Sequence, residues 1–437
     1  MNFIFGIIQL IIILSVCVHE YKKTSPAVFM WVVLALLFSV PHFIGSISRH
    51  SFYPEIVLIK TSLFVIFFSL FYLATRIILD SKEKNVNVLF NNINIAYHKK
   101  RNYVHQPLFY VCLLSLIMVF IVFIVFVYIN LGGIAFISWS DYRDISVTNK
   151  SMWFDILNQG IGILFLAFSG LIVYCLLTRD TKYIILCSVI LLFPLIVTRA
   201  RARLLYLICP FSIYLFFWYK KGKFHISKLF FLFFMLISFY YIIETVRAVR
   251  HYGSWDAFIT KVNYDDLFGR VNSRILSDQG ETRLREVFYF FMYKNNNFPN
   301  FNKFHTYNRM ALVFIPTKLS MGIKAPDFAM SMWSAYYNDF SNKIGSMHPT
   351  LFGDCYANGN WFGVFLGVFW AFITQLVDRI IENKKILFRC LFASVFSYMF
   401  ILIGRGAVYN AYVSALYAAI TLYILLFVDY LFFKSKK

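Results

Sequence analysis

Apolar runs of about 20 residues recur along the whole chain and alternate with short polar segments. A helix of about 20 residues is long enough to cross the roughly 30 Å hydrocarbon core of a bilayer. The runs are continuous and do not alternate between apolar and polar residues, which favours membrane helices over β-strands. Eleven spans are predicted, at residues 3–19, 27–47, 56–78, 107–130, 153–177, 183–198, 204–219, 229–246, 358–377, 387–403 and 408–431.

Composition agrees with this class. Hydrophobic residues make up 60% of the 437 positions and charged residues only 14%, whereas a soluble protein has about a quarter of its positions charged. The chain has no CxxC, HExxH or P-loop motif, so the sequence predicts neither a metal site nor direct use of ATP. The fold class expected is an all-α polytopic membrane protein.

Basic residues concentrate in alternate loops, as the positive-inside rule requires of a multispanning protein. When the eleven spans are threaded in order, 20 of the 42 lysines and arginines fall in loops on one side, which is therefore the cytoplasmic side. This distribution predicts an inner-membrane protein with its N-terminus outside and its C-terminus in the cytoplasm. It also accounts for part of the net charge of +21, which does not indicate nucleic-acid binding.

The predicted spans divide the chain into three parts: residues 1–246 with spans one to eight, a large periplasmic loop domain at 247–357, and residues 358–437 with spans nine to eleven. The loop is too long for a plain connection and too aromatic to be disordered. Its segment GETRLREVFYFFMYK, at 280–294, has apolar residues at helical spacing. We expect the loop to fold as helices against the outer face of the membrane.

Arginine marks the predicted outer ends of several spans, where the positive-inside rule alone would have removed it. Guanidinium groups make forked, charge-assisted bonds to phosphates, so this pattern indicates an anionic substrate such as a lipid-linked diphosphate. The alternative is that each arginine reaches ordinary lipid phosphates from a helix end. The candidate substrate-binding residues are Arg199, Arg201, Arg203, Arg247, Arg250 and Arg405, with Tyr142 and Arg143 in the loop at 131–152.

Candidate general bases lie on the same predicted side. They are Glu244, His348 and Asp354, with His42, His50, His251 and His305 as further outer histidines. Glu244 shares one helix face with Arg247 and His251, which predicts either a polar stripe at the mouth of a cavity or a local ion pair. For each histidine, the alternative is a structural or surface role.

Four segments carry a resemblance to a known family. They are TRARARLL at 198–205, FIPTKLSMGIKAP at 314–326, GDCYANGNWFGVFLG at 353–367 and RGAVYNAY at 405–412. Together with the topology, these segments resemble the Wzy-type oligosaccharide repeat-unit polymerases of bacterial O-antigen and capsule pathways. Within the first segment, Arg201 is the closest match to the family pattern.

The resemblance implies a GT-C-like fold and a glycosyltransferase activity in lipopolysaccharide biosynthesis. Such enzymes transfer a growing glycan from undecaprenyl diphosphate to a sugar hydroxyl of a new lipid-linked repeat unit, and the resemblance implies neither a metal nor another cofactor. The partners implied are lipid-linked repeat units, membrane lipids, and a flippase and a chain-length regulator of the same pathway.

Three other functions fit part of the pattern. An O-antigen ligase has a similar topology and donor but transfers the glycan to lipid A core. A flippase or other transporter would place its charges within the spans and would lack a large outer loop. A non-catalytic assembly or chain-length protein would have two spans and a coiled-coil outer domain.

Overall fold

The structure is a computed structural model, and it describes residues 2–48, 53–81, 107–131, 152–198, 201–218, 257, 259–260, 282–298, 303–315, 319–339 and 346–433. All regular elements in these ranges are helical. Eight of the described helices are long and apolar enough to cross a membrane. The chain is therefore a polytopic membrane protein, as its apolar runs predict.

The first half of the chain contains nine α-helices in its described residues. A π-helical turn at Ala35–Ser39 joins the second helix to the third, and the two make one candidate span. A 3₁₀ turn at Arg201–Leu204 precedes the ninth. The helices are α1 (Asn2–Lys22), α2 (Val28–Leu34), α3 (Val40–Ser48), α4 (Glu55–Ser81), α5 (Pro107–Leu131), α6 (Met152–Ser169), α7 (Leu171–Thr178), α8 (Thr181–Thr198) and α9 (Leu205–Ile213).

The second half contains seven more helices in the part of the chain that the structure describes. A 3₁₀ segment, Asn360–Phe365, separates the fourth of these from the fifth. The helices are α10 (Thr282–Tyr293), α11 (His305–Ala311), α12 (Phe328–Tyr337), α13 (Leu351–Gly359), α14 (Leu366–Glu382), α15 (Ile386–Arg405) and α16 (Val408–Phe433).

Eight of the eleven predicted spans correspond to candidate membrane helices. The predicted spans at 183–198 and 204–219 correspond to shorter apolar helices, Thr181–Pro194 and Ala202–Phe217. The predicted span at 229–246 lies outside the described residues. The count of eleven therefore stays a prediction.

The described residues form two compact units. The first contains Met1–Asn91, Gln279–Asn383 and Met399–Leu416, and the second contains Asn92–Asp278, Lys384–Tyr398 and Tyr417–Lys437. In the second unit, helices α5 to α9 pack through aromatic and small polar contacts. Ser169 and Ser394 lie 2.7 Å apart there, and the rings of Phe109 and Tyr174 lie 5.4 Å apart.

Part of the predicted loop domain packs within the first unit against its membrane helices. Within the segment at 280–294, Thr282–Tyr293 form α10, as the helical spacing predicts. Phe288 of α10 lies 5.6 Å from Phe38 and 5.7 Å from Phe64, measured between ring centroids. The hydroxyl of Tyr289 lies 2.5 Å from His42 Nδ1, so α10 is joined to the α2–α3 span by a buried polar contact as well as by aromatic packing.

The candidate span Leu351–Glu382 is interrupted at Asn360, where the backbone has φ 50° and ψ −137°. Before this break, all nine residues of α13 are buried. The ring of Phe352 lies 6.3 Å from Trp31, 5.7 Å from Phe38 and 5.4 Å from Phe68, all in candidate spans. Helix α13 therefore lies inside the bundle.

Candidate functional site

A narrow pocket lies in the first unit where α11, α12, α13 and the turn between α15 and α16 meet. It has a volume of about 20 Å³, which is enough for one water molecule or one hydroxyl group. Polar and charged side chains converge on it from four separate parts of the chain. These side chains are Thr306, Arg309, Asp327, His348, Asp354, Tyr409 and Asn410.

The turn after α15 brings Gly406 to the pocket and places Arg405 close enough to His348 to act on the pKa of its imidazole. Gly406 has φ +100°, and the backbone amides of Gly406 and Ala407 bond to the carbonyls of Ile403 and Leu402, at 2.8 and 2.9 Å. This is the hydrogen-bond pattern of a glycine C-cap that ends a helix. A Cβ at Gly406 would lie 2.9 Å from the backbone of Pro349 and Thr350, so only glycine allows this turn to approach the segment that carries His348.

Asp354 fixes α11 against α13. Its Oδ2 accepts a hydrogen bond from Thr306 Oγ1 at 3.1 Å, and its Oδ1 accepts one from Asn358 Nδ2 at 3.1 Å. Asn358 Oδ1 in turn accepts from the backbone amide of Thr306 at 3.1 Å. Asp354 and Asn358 lie four residues apart on one face of α13, so both reach the first turn of α11. The carboxylate is therefore occupied with holding α11, and with it Arg309, at the pocket.

His348 lies in the segment just before α13 and is largely buried. Burial lowers the pKa of its imidazole, and the Arg405 guanidinium lowers it further; Asp327 and a hydrogen bond with the Gly406 backbone act in the opposite direction. Its Nδ1 is buried and has no hydrogen-bond partner among the described residues. The imidazole is thus neutral at pH 7 and has a ring nitrogen available to a small ligand.

Arg309 projects from α11 to the same pocket. Its Nη1 donates to the carbonyl of Ala325 at 2.9 Å, and its guanidinium lies 4.5 Å from the centre of the Tyr409 ring. Its Nε is buried without a hydrogen-bond partner in the described part of the chain. A guanidinium held on one edge and stacked on an aromatic ring has its other donors free to meet an anion.

Two of the residues expected from the sequence, His348 and Asp354, line the pocket, and Arg405 lies close enough to His348 to lower the pKa of its imidazole. Arg309, Asp327 and Tyr409 join them and were not singled out in the sequence. The arginines predicted from the sequence mark span ends, whereas Arg309 lies in the middle of the long predicted loop. The close spacing of His305 and Arg309 on one short helix was the signal in the sequence for this part of the site.

Arg203 lies in the second unit and is buried. Its Nη2 donates to Asn158 Oδ1 at 3.0 Å, and its guanidinium lies 5.7 Å from the centre of the Phe123 ring. Its Nη1 is buried without a partner among the described residues. The backbone of Arg201 lies in the same 3₁₀ turn as Arg203, but the Arg201 side chain is outside the described residues. Six more candidate residues lie wholly outside the described residues: Tyr142, Arg143, Arg199, Glu244, Arg247 and Arg250.

Two other candidate histidines are described, and they differ in their surroundings. His42 is buried and bonded on both nitrogens, to Tyr289 at 2.5 Å and to Ser62 at 2.8 Å, which assigns it a structural role. His305 begins α11, and burial together with Arg309 lowers the pKa of its imidazole. His50 and His251 lie outside the described residues.

Within the described residues, no group of three or more histidine, cysteine, aspartate or glutamate side chains is arranged to hold a metal ion. The site instead combines a neutral imidazole, two guanidinium groups and a carboxylate that fixes one helix in place. Comparison of the chain with models of known protein families, with curated proteins and with solved structures found no match.

Proposed function

We propose that this chain is an oligosaccharide repeat-unit polymerase of the bacterial inner membrane. It would transfer a glycan from its polyprenyl diphosphate carrier to a hydroxyl group of a second lipid-linked repeat unit. The observation that carries the proposal is the position of His348 in a polytopic membrane protein: it lines a hydroxyl-sized pocket with Arg309, and Arg405 is close enough to lower the pKa of its imidazole.

The proposed reaction is a substitution at the anomeric carbon of the donor sugar. The acceptor hydroxyl oxygen forms a bond to this carbon while the bond from the carbon to the diphosphate oxygen breaks. The hydroxyl proton passes to the enzyme, and the bonding electrons leave with the diphosphate. The enzyme must therefore supply a base near the acceptor oxygen and positive charge near the leaving group.

His348 is the proposed base. Its pKa is lowered by burial and by Arg405, so it is neutral at pH 7, and its Nδ1 has no hydrogen-bond partner in the described part of the chain. Asp354 takes a positioning role in this scheme, because its two oxygens accept hydrogen bonds from Thr306 and Asn358.

Arg309 and Arg405 are the proposed ligands of the diphosphate. Negative charge builds up on this group as its bond to the sugar breaks, and guanidinium groups fixed in advance stabilise the charge in the transition state more than in the ground state. Arg199, Arg201, Arg203, Arg247 and Arg250 stay candidates for further contacts to carrier or glycan. The proposal keeps the N-terminus in the periplasm and the C-terminus in the cytoplasm, and it includes a flippase and a chain-length regulator as partners.

The first test is a gel of surface lipopolysaccharide from a strain that lacks this gene and whose own O-antigen depends on it. Core carrying a single repeat unit is expected, because flipping and ligation continue without polymerisation. Bare core would contradict the proposal and favour a ligase or a flippase. Glycan left on the lipid carrier on the periplasmic side would then identify the ligase.

The second test complements that strain with pocket variants. His348→Gln and Arg309→Ala should lower polymerisation by about 100-fold or more, the usual effect of removing a base or a charge-stabilising donor. Lys303→Ala is the matched control, because Lys303 is exposed and lies just before α11. Equal polymer from all three variants at equal protein levels would remove the pocket from the reaction.

A further inference from the structure

The loop between α11 and α12 has large apolar side chains on its surface. Leu319 is 72% exposed, Met321 is 94% exposed and Ile323 is 70% exposed. These residues are not part of any of the eight candidate spans. Exposed apolar side chains clustered within five residues mark an interaction surface, because contact of so much apolar surface with water is unfavourable in free energy.

The base of the loop is held firmly by polar contacts. Lys324 Nζ donates to the carbonyl of Ile315 at 2.7 Å, and Asn308 Oδ1 accepts from the backbone amide of Ala325 at 2.9 Å. The carbonyl of Ala325 accepts from Arg309 at 2.9 Å. The exposed side chains therefore lie on a loop whose base is fixed at the pocket.

The tip of the loop adopts an unusual backbone conformation. Met321 has φ 47° and Gly322 has φ +84°, and the amide of Ile323 bonds to the carbonyl of Ser320 at 2.9 Å. A positive φ is uncommon for a residue other than glycine, and it is retained only where the surrounding structure requires it. Here it turns the most exposed side chain of the loop, Met321, outward.

Helix α11, which carries the base of the loop, packs on a membrane helix. The ring of Tyr307 lies 5.6 Å from that of Phe369, and its hydroxyl accepts from Trp370 Nε1 at 3.3 Å. Phe369 and Trp370 belong to the candidate span Leu351–Glu382. Phe372 and Leu376 of the same span are exposed, as is expected of apolar side chains that face lipid. The base of the loop is therefore carried by a helix that packs directly on a candidate membrane span.

We propose that the tip of this loop, with Leu319, Met321 and Ile323, inserts into the acyl chains of the surrounding bilayer. Apolar side chains inserted at the membrane surface anchor a segment there without spanning it. The loop is a membrane anchor beside the pocket, and through Arg309 and Ala325 it fixes the height of the pocket relative to the lipid headgroups. This anchoring is independent of the reaction that the pocket carries out.

The test uses the full-length protein in lipid nanodiscs, with a bimane fluorophore attached to Met321→Cys. Of the native cysteines, Cys17 is partly buried and the other six are buried, so labelling of the wild type gives the background to subtract. Asn297→Cys is the matched control, because Asn297 is an exposed polar residue of the same unit and lies outside the candidate spans.

At position 321 we expect strong quenching by lipids brominated on their acyl chains and little quenching by aqueous iodide. The control at position 297 should show the opposite pattern. Quenching of position 321 by iodide alone would overturn the proposal, since the loop would then face water. Protection of position 321 from both quenchers would also overturn it, since protein rather than lipid would cover the loop.

Discussion

Arg76 and Glu20 form a two-point ion pair inside the first unit. Arg76 donates from Nε to Glu20 Oε1 and from Nη2 to Glu20 Oε2, each at 2.8 Å, and both side chains are 0% exposed. The same guanidinium donates to Asp378 Oδ2 at 2.6 Å. One cation therefore joins α1, α4 and α14, and it pairs with two carboxyl groups within candidate membrane spans, where an unpaired charge is costly.

Replacing Arg76 with methionine should destabilise the protein strongly. The change leaves Glu20 and Asp378 buried without their cation, and breaking a buried pair in this way costs about 3–5 kcal/mol. We expect a large fall in the melting temperature of the purified protein in detergent.

The control for Arg76→Met is Lys385→Met. Lys385 lies 3.8 Å from Asp429 and is 60% exposed, and exposed pairs contribute about 0–1 kcal/mol. If both variants melted at the temperature of the wild type, the network around Arg76 would not stabilise the bundle.

Gly406→Ala and Gly322→Ala together separate two effects of replacing glycine with alanine: backbone strain, and contact of the added Cβ with neighbouring atoms. Both glycines have a positive φ, at +100° and +84°, so alanine costs about 1–2 kcal/mol of backbone strain at either site. Only at Gly406 does the added Cβ also meet neighbouring backbone, 2.9 Å from Pro349 and Thr350, whereas at Gly322 nothing lies within 4 Å.

Gly406→Ala should therefore displace the segment that carries His348 and abolish polymer, and Gly322→Ala should leave polymer near the level of the wild type. Lipopolysaccharide gels at matched protein levels make the comparison. Equal activity of the two variants would mean that the close approach of Gly406 to Pro349 does not matter for the site.

The pH profile of polymerisation should depend on the charges around His348. A base with a lowered pKa stays active as the pH falls, and the rate declines only below the ordinary histidine value of about 6.5. Asp327 raises the pKa of His348. Asp327→Asn should therefore lower this pKa further and move the acid limb of the profile to lower pH.

Asp327 is the N-cap of α12, and its Oδ1 accepts a hydrogen bond from the Ala329 amide at 3.0 Å. Asparagine is also a good N-cap residue, so Asp327→Asn keeps this cap. Asp339→Asn makes the same change of charge beyond the other end of α12 and should leave the acid limb in place. The measurement is the initial rate against pH with purified enzyme and lipid-linked repeat units. An unchanged limb in Asp327→Asn would exclude His348 as the titrating base.

The sequence predicts the membrane helices well because their signal is local. A span needs only about 20 apolar residues in a row, and eight predicted spans have a matching candidate helix. The interruption at Asn360 was not predicted, although Asn358, Gly359 and Asn360 are residues typical of a turn. Because an apolar run follows these residues, the sequence predicts one uninterrupted span from residue 358, and it places the residues before 358 in the loop.

The site itself depends on contacts that no local pattern contains. The resemblance pointed to RGAVYNAY and GDCYANGNWFGVFLG separately, but spacing along the chain does not tell which of their residues meet. Gly406 approaches Pro349 only because α15 ends in a glycine cap at that point. Arg309 reaches the same pocket because Asp354 and Asn358 hold the first turn of α11.

Arg309→Lys tests whether the shape of the guanidinium matters in addition to its charge. Lysine keeps the positive charge but loses the forked donors and the flat stacking surface that lies 4.5 Å from the centre of the Tyr409 ring. If Arg309 binds diphosphate through two donors, Arg309→Lys should polymerise far more slowly than the wild type and only a little faster than Arg309→Ala.

Thr306→Val is the companion variant for Arg309→Lys, because it removes the Thr306 hydroxyl that donates to Asp354 and leaves the charge of Arg309 in place. A shift of α11 alone should then lower the rate through the position of Arg309. Full activity in Arg309→Lys together with loss of activity in Thr306→Val would mean that α11 matters for packing and that its arginine contributes only charge.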